Sequence, residues 1–327
     1  VESLFWEYNG TKYRRKWKAI EAAGSNINSI TCSVMSDNFL SFDFTKEPQE
    51  SLEQLIDTRC KQLRDKYSYI KLWFSGGSDS TTVLNGFLRN NIHIDEIIVY
   101  AQSLNNYYEN LGNFELTNFT FPYLKELSKH LTKTKFTTYW VGYDYYKKEL
   151  TDKWFEKKNN IDIRAMFAPR VRGNNFCNIY GDFSPDVRNQ GNRYYDVCYD
   201  TNNLLCYTHR NIELFFSSDD LPQLHAKQCH IIKNHLKNKN DFRDMKHIVR
   251  DVARDRSVIT EHPLLIKVET ESSVKSFVCK KTKAMFKTDF NEELSQRYKN
   301  LLSHTINNVP ITQLNVGFQI FKLDLGE

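Results

Sequence analysis

The run Ser75-Gly76-Gly77-Ser78-Asp79-Ser80 gathers three hydroxyls, two glycines and a carboxylate in six residues, a composition suited to holding a phosphate. Gly76 and Gly77 let the backbone approach an anion closely, while the hydroxyls of Ser75, Ser78 and Ser80 add donors. No lysine followed by Ser or Thr closes the run, so it is not a Walker A loop. Asp79 instead puts an acidic side chain beside the phosphates. A carboxylate is repelled by a bare phosphate, so the arrangement implies a bridging Mg²⁺ held partly by Asp79. The competing reading is a Ser/Gly-rich surface loop without a ligand.

The elements on either side favour the first reading. Tyr69 to Phe74 is short, apolar and rich in β-formers, which predicts a buried strand. From Asp79 onward, Val83, Leu84, Phe87 and Leu88 recur at helical spacing. A strand, a glycine turn and a helix N-terminus converge unpaired N–H groups and the positive end of the helix dipole on one point. Asp95 to Ala101 predicts a second buried strand, so strand, helix and strand make a βαβ unit in a parallel sheet. Ligands of such sheets bind at the carboxyl ends of the strands. A helix over Gln49–Tyr67 with Leu52, Leu55, Ile56 and Leu63 inward precedes this unit. A helix over Asn118–Leu131 and a strand over Lys135–Val141 follow it.

At Ser75–Ser80 the chain resembles the SGGxDS signature of the PP-loop ATP pyrophosphatases, the adenine nucleotide alpha-hydrolase group. The resemblance implies an α/β fold with a parallel-sheet, Rossmann-like PP-loop core and small N- and C-terminal extensions. It implies ATP and Mg²⁺ as ligands and cleavage between the α and β phosphates, which adenylates an acceptor and releases pyrophosphate. Ser75, Gly76, Gly77, Ser78, Asp79 and Ser80 would then hold the phosphates, and backbone groups of Val99, Tyr100 and Ala101 the adenine. A helix leading into this strand is also how the synthetase domain of asparagine synthetase begins. The chain opens Val1-Glu2 and its first cysteine is Cys32, so no glutaminase nucleophile is expected.

Asn178 to Arg188 is the second stretch with chemical content: an apolar approach ends at Gly181-Asp182, with Pro185-Asp186 and Arg188 behind it. Its position resembles the second acidic motif of the group, although it departs from the Gly-Glu-Gly-Ala-Asp-Glu of asparagine synthetases. The resemblance makes Asp182, with Asp186 as second choice, an acid near Mg²⁺ beside Asp79. Arg188 could neutralise departing pyrophosphate, with Arg170 and Arg172 as competitors. An Asp/Pro turn and surface arginines are the plainer alternative. Residues 213–239 read as a loop and then a helix with Asp220 at its cap and Pro222 in its first turn. Similarity to phage-encoded, asparagine-synthetase-like members without a glutaminase half would turn Lys227 and Gln228 toward the active site, and would place the protein in host cytoplasm. His225 and Cys229 stand four apart, a possible metal pair. No Cys-x-x-Cys supports it, and a partly buried polar helix is the plainer account.

The 327 residues carry a net charge of +5, 40% apolar and 14% aromatic residues, which fits a folded enzyme of one large domain with appendages or of two domains. Three parts are expected: a small β-rich extension over 1–48, the ATP-binding domain over 49–239, and an α+β extension over 240–327. The first includes strand-like pieces at Ser29–Val34 and Phe39–Phe44. The last includes helices over Asp241–Arg256 and Glu292–His304 and a strand over Leu314–Leu323. No run is long enough to span a membrane, the start lacks a signal peptide's order, and seven scattered cysteines suit reduced thiols in cytoplasm. The basic-aromatic cluster Lys12–Lys18 is either a nucleic-acid grip or a solvated edge strand. The resemblance to PP-loop enzymes implies amide or ligase chemistry on a small-molecule or nucleic-acid acceptor. Base modification of tRNA or DNA and a non-catalytic ATP-binding module are the alternatives.

Overall fold

In the computed structural model the described residues are 5–33, 35–103, 116–142, 176–181, 185–200, 212–238, 305–306, 308–310, 313 and 316–327. Strands β1 (Phe5–Tyr8) and β2 (Thr11–Tyr13) form a hairpin around Asn9-Gly10, both at positive φ, as the tight turn demands. Helix α1 (Lys16–Ala23) follows, and β3 (Thr31–Ser33) pairs antiparallel with β1. The strand expected over Phe39–Phe44 is instead a short helix, α2 (Asp37–Leu40), followed by turns. Ser36 decides this locally, because its hydroxyl accepts from the Phe39 amide at 3.2 Å and caps the helix.

Helix α3 (Leu52–Lys66) starts at a capping box in which Ser51 and Gln54 hydrogen-bond each other's backbone amides. Strand β4 (Tyr69–Trp73), helix α4 (Ser78–Arg89) and strand β5 (Glu96–Ser103) come next. A π-helical turn over Leu116–Thr120 runs into α5 (Phe121–Ser128) and then β6 (Lys135–Gly142). Beyond them lie β7 (Phe176–Tyr180), β8 (Val187–Gln190), β9 (Arg193–Tyr199), β10 (Ile212–Leu214) and α6 (Pro222–Asn238). Near the end, β11 (Thr305–Ile306) and β12 (Val309–Pro310) pair with each other before β13 (Gln319–Asp324). The helices expected over 241–256 and 292–304 fall outside the described residues.

The architecture is α/β, with a Rossmann-like core. Its central sheet has five parallel strands among the described residues, in the order β10-β7-β4-β5-β6. From β4 the chain adds strands outward on one side (β5, β6) and then on the other (β7, β10), so the order reverses between β4 and β7. A crevice opens at the carboxyl ends of the strands at such a reversal. One face of the sheet buries Ile70, Leu72, Ile97, Cys177 and Ile179 against Leu63, Val83 and Phe87 of α3 and α4.

A second apolar core joins segments that are distant in the chain. Trp6, Trp17, Ile20 and Phe39 meet Cys229 and Ile232 of α6 and Phe318, Phe321 and Leu323 near the C-terminal end. Here an antiparallel sheet runs β13-β9-β8. Asp200 is its polar centre: fully buried, it accepts from Trp6 Nε1 at 3.0 Å and the Phe318 amide at 2.8 Å, and pairs with Lys16 Nζ at 2.9 Å. Lys16 and Trp17 are therefore core residues, which removes them from any nucleic-acid-binding face of the Lys12–Lys18 cluster. Among the described residues no helix is long and apolar enough to cross a membrane.

Candidate functional site

The Ser/Gly run sits where β4 ends and α4 begins, at the carboxyl edge of the sheet. Phe74 still donates to Ile98 O at 2.8 Å, and the chain then turns through Gly76 at φ +80°. A side chain at 76 would be strained by that backbone and would collide with Thr120, whose Oγ1 lies 1.9 Å from the ideal Cβ position. The same hydroxyl donates to Ser75 O at 3.1 Å, so the π-helical turn before α5 clamps the loop from outside. Inside the loop, Ser75 and Ser80 are engaged in its closure. The Ser75 amide donates to Ser80 Oγ at 3.3 Å, the two hydroxyls lie 3.1 Å apart, and Ser80 Oγ donates to Gly77 O at 3.2 Å. Gly77 donates its amide to Ser75 Oγ at 3.1 Å and stands at the N-cap of α4 with no side chain to cap it. The first turn of α4, carrying Asp79, thus starts from a glycine at the point of strand reversal.

Strand β7 lies next to β4 and runs parallel to it. Its last residue, Tyr180, is followed by Gly181, whose absent side chain lets it pack on the start of α4. A Cβ there would fall 2.9 Å from both Asp79 C and Ser80 N. The two stretches singled out by sequence, about a hundred residues apart, are therefore in van der Waals contact. Asp182 lies outside the described residues, as do Arg170 and Arg172. Asp186 and Arg188 are described and form an ion pair, with Nη2 2.5 Å from Oδ2. Burial disfavours the Arg188 charge, but the Asp186 carboxylate outweighs it and raises the guanidinium pKa.

Lys227 projects from α6 to Glu47 Oε1 at 2.7 Å and Pro48 O at 3.0 Å. Its hydrogen bond is the main reason that the Glu47 carboxyl sits below the ordinary value. Gln228, beside it, is fully buried. Val99, Tyr100 and Ala101 lie in β5, paired with Thr138, Tyr139 and Trp140 of β6. On the other edge of β5 the pairing with β4 stops at Ile98. Alternation turns the Tyr100 backbone groups toward that side, where β4 has given way to the loop.

Two features escaped the sequence reading. Thr120 gave no signal, because it falls inside the span Asn118–Leu131 expected as helix. Trp73 is stacked between Tyr139 and Tyr180, at ring separations of 6.0 and 5.4 Å, and donates its Nε1 to Asn178 Oδ1 at 3.0 Å. Its place as an odd residue of β4, facing away from α4, was readable only as strand alternation.

No protein-family model matches the chain, and no curated protein matches its sequence.

Proposed function

We propose that the chain is a PP-loop ATP pyrophosphatase that adenylates an acceptor for nitrogen transfer. The observation that carries this reading is the contact of Gly181 with Asp79 and Ser80 at the reversal of strand order. It brings a glycine-rich loop and a glycine-acid segment together at the edge where open parallel sheets bind nucleotides.

The residues fit a polyphosphate with a divalent ion. Gly77 opens α4 without a side-chain cap, which leaves the helix N-terminus to an anion. The buried Thr81 hydroxyl in the same turn has no hydrogen-bond partner among the described residues. Asp79 and Asp182 would hold Mg²⁺, and the backbone of Val99, Tyr100 and Ala101 would line the adenine. Bound there, the ion would neutralise phosphate charge and activate the α phosphorus toward attack. An acceptor oxygen would displace pyrophosphate at that phosphorus, and ammonia or an amine would then attack the adenylated carbon and release AMP.

The chain's part is positioning and charge stabilisation. Amides at the α4 N-terminus face developing negative charge without reorganising, because Thr120, Ser75 and Ser80 have already fixed the loop. Arg188 and Lys227 join the chemistry only by exchanging their carboxylate partners, Asp186 and Glu47, for phosphate.

The test is product analysis with ATP and Mg²⁺, across pools of amino acids, ammonia and tRNA, for the intact chain and Asp79→Ala. AMP and pyrophosphate, lost in the variant, are expected. ADP and phosphate would overturn the assignment, and tight ATP binding without turnover in any pool would leave a nucleotide-binding module.

A further inference from the structure

The ATP reading leaves one buried polar cluster unused. Asp196 of β9 and His225 of α6 are each 1% exposed, and Cys229 of α6 is fully buried. His225 and Cys229 are one helical turn apart, so their side chains leave the same face of α6. Asp196 meets them from the antiparallel sheet. One ligand atom from each of the three residues lies within 4.8 Å of the other two. His225 Nε2 is already 2.7 Å from Asp196 Oδ2.

The surroundings orient these atoms. The Asp186 amide donates to Asp196 Oδ1 at 2.7 Å, leaving Oδ2 to face the imidazole. Ser217 Oγ lies 2.9 Å from His225 Nδ1 on the far side of the ring. Such an oxygen partner on the second ring nitrogen is what sets the tautomer and direction of metal-ligating histidines. Phe39, Phe44 and Phe321 stand around the imidazole at 5.6, 6.2 and 5.7 Å, an apolar shell.

We propose that Asp196, His225 and Cys229 form a binding site for a divalent transition metal of the zinc type, which cross-links β9 to α6. One carboxylate, one imidazole and one thiolate suit zinc, whereas Mg²⁺ and Ca²⁺ require oxygen ligands. Around tetrahedral zinc, nitrogen and oxygen ligands stand about 3.3 Å apart and sulfur about 3.6 Å from either. Loading therefore parts the His225–Asp196 contact by roughly half an ångström. The metal displaces the Cys229 thiol proton, which leaves to solvent, and the proton on Nε2, which Nδ1 regains as the imidazole changes tautomer, so one proton is released in net. Ser217 follows the change: its hydroxyl donates to Nδ1 before loading and accepts from Nδ1–H afterwards. This site is independent of the ATP reading.

The test titrates Co²⁺ into the full, chelator-stripped chain. One cobalt per chain, with visible bands of tetrahedral cobalt and an ultraviolet thiolate charge-transfer band, is expected, and Zn²⁺ should abolish both. Zinc at a hundredfold above its Kd should raise Tm by about 4 °C. Cys229→Ser should remove the charge-transfer band, while the double variant Cys206→Ser, Cys279→Ser should retain it. No cobalt spectrum in the wild-type chain would overturn the site and leave a hydrogen-bonded clamp. So would a spectrum indifferent to Cys229→Ser and His225→Gln. Should those variants not fold, X-ray absorption on the zinc-loaded wild-type chain decides by counting sulfur ligands. One is expected, and none or several would overturn the proposal.

Discussion

The Thr120 hydroxyl fills the space that a side chain at Gly76 would need, 1.9 Å from the ideal Cβ position, while it bonds the carbonyl of Ser75. A glycine in the Ser/Gly loop and a threonine at the foot of the next helix are thus one device. Each accounts for the other: the positive φ at Gly76 is held by Thr120, and Thr120 fits only over a glycine.

Gly76→Ala should therefore cost more than backbone strain. The left-handed conformation alone is worth about 1–2 kcal/mol, and relieving the clash must push Thr120 off Ser75. Both a lower denaturant midpoint and a large loss of ATP affinity are expected. Thr120→Ser, which keeps the hydroxyl, should bind ATP near wild-type strength, whereas Thr120→Val should not. Equilibrium binding of a fluorescent ATP analogue checks all three.

Gly181→Ala sets a Cβ 2.9 Å from backbone atoms of Asp79 and Ser80, which cannot rotate away as a side chain would. The start of α4 must shift, and misplacement of that order costs roughly a hundredfold in rate when positioning carries the catalysis. AMP release should fall by that factor while the melting temperature moves little. An unchanged rate would separate the glycine-acid segment from the site.

Arg59 is fully buried in α3 and holds Glu213 at 2.6 Å, with Tyr67 and Lys66 bonded to the same carboxylate. Burial penalises the Glu213 charge, but Arg59 and those two hydrogen bonds outweigh it and hold the carboxyl below its ordinary 4.5. A depressed carboxyl contributes stability that is complete above the unfolded value and lost as pH falls through the folded one. Stability should decline below pH 4.5, and Glu213→Gln should flatten that limb of the profile. Arg59→Ala takes the buried cation from a carboxylate then left to Lys66 and Tyr67, and should cost about 3–5 kcal/mol at neutral pH, read by urea unfolding.

Asp200→Ala should be equally severe, about 3–5 kcal/mol, because it leaves Lys16 buried without its carboxylate. The double change Lys16→Met, Asp200→Leu should recover much of the loss. Thermal melts with tryptophan emission report on it directly, since Trp6 donates its indole N–H to Asp200.

The parts legible in the sequence are those specified by neighbours along the chain. Tyr69–Trp73, the loop after it and the helix from Ser78 announce themselves within some twenty residues, through an apolar run, glycines and helical spacing. The β5–α5–β6 stretch followed for the same reason, within a few residues at its ends. What stayed hidden depends on partners elsewhere. Phe39 looks like a strand residue until Ser36 caps its turn. Lys16 reads as surface charge because Asp200 lies 184 positions downstream. Cys229 and His225 offered a pair, but the third ligand comes from β9, which no local pattern attached to α6.

The second core has a consequence for synthesis. Trp6 bonds to Asp200 across 194 residues, and Phe318 to Leu325 close the same cluster from the opposite end of the chain. Contacts of such high order form slowly, because a long loop must be closed before burial rewards it. As the chain emerges from the ribosome, the parallel sheet has most of its strands early, while Trp6, Ile20 and Phe39 still await β13. Until Leu325 arrives those apolar side chains lack the part of their cover that Phe318 to Leu325 supply, the condition in which nascent proteins recruit chaperones or aggregate. A nascent chain truncated before β13 would carry its Ser/Gly loop and yet remain a client of the folding machinery.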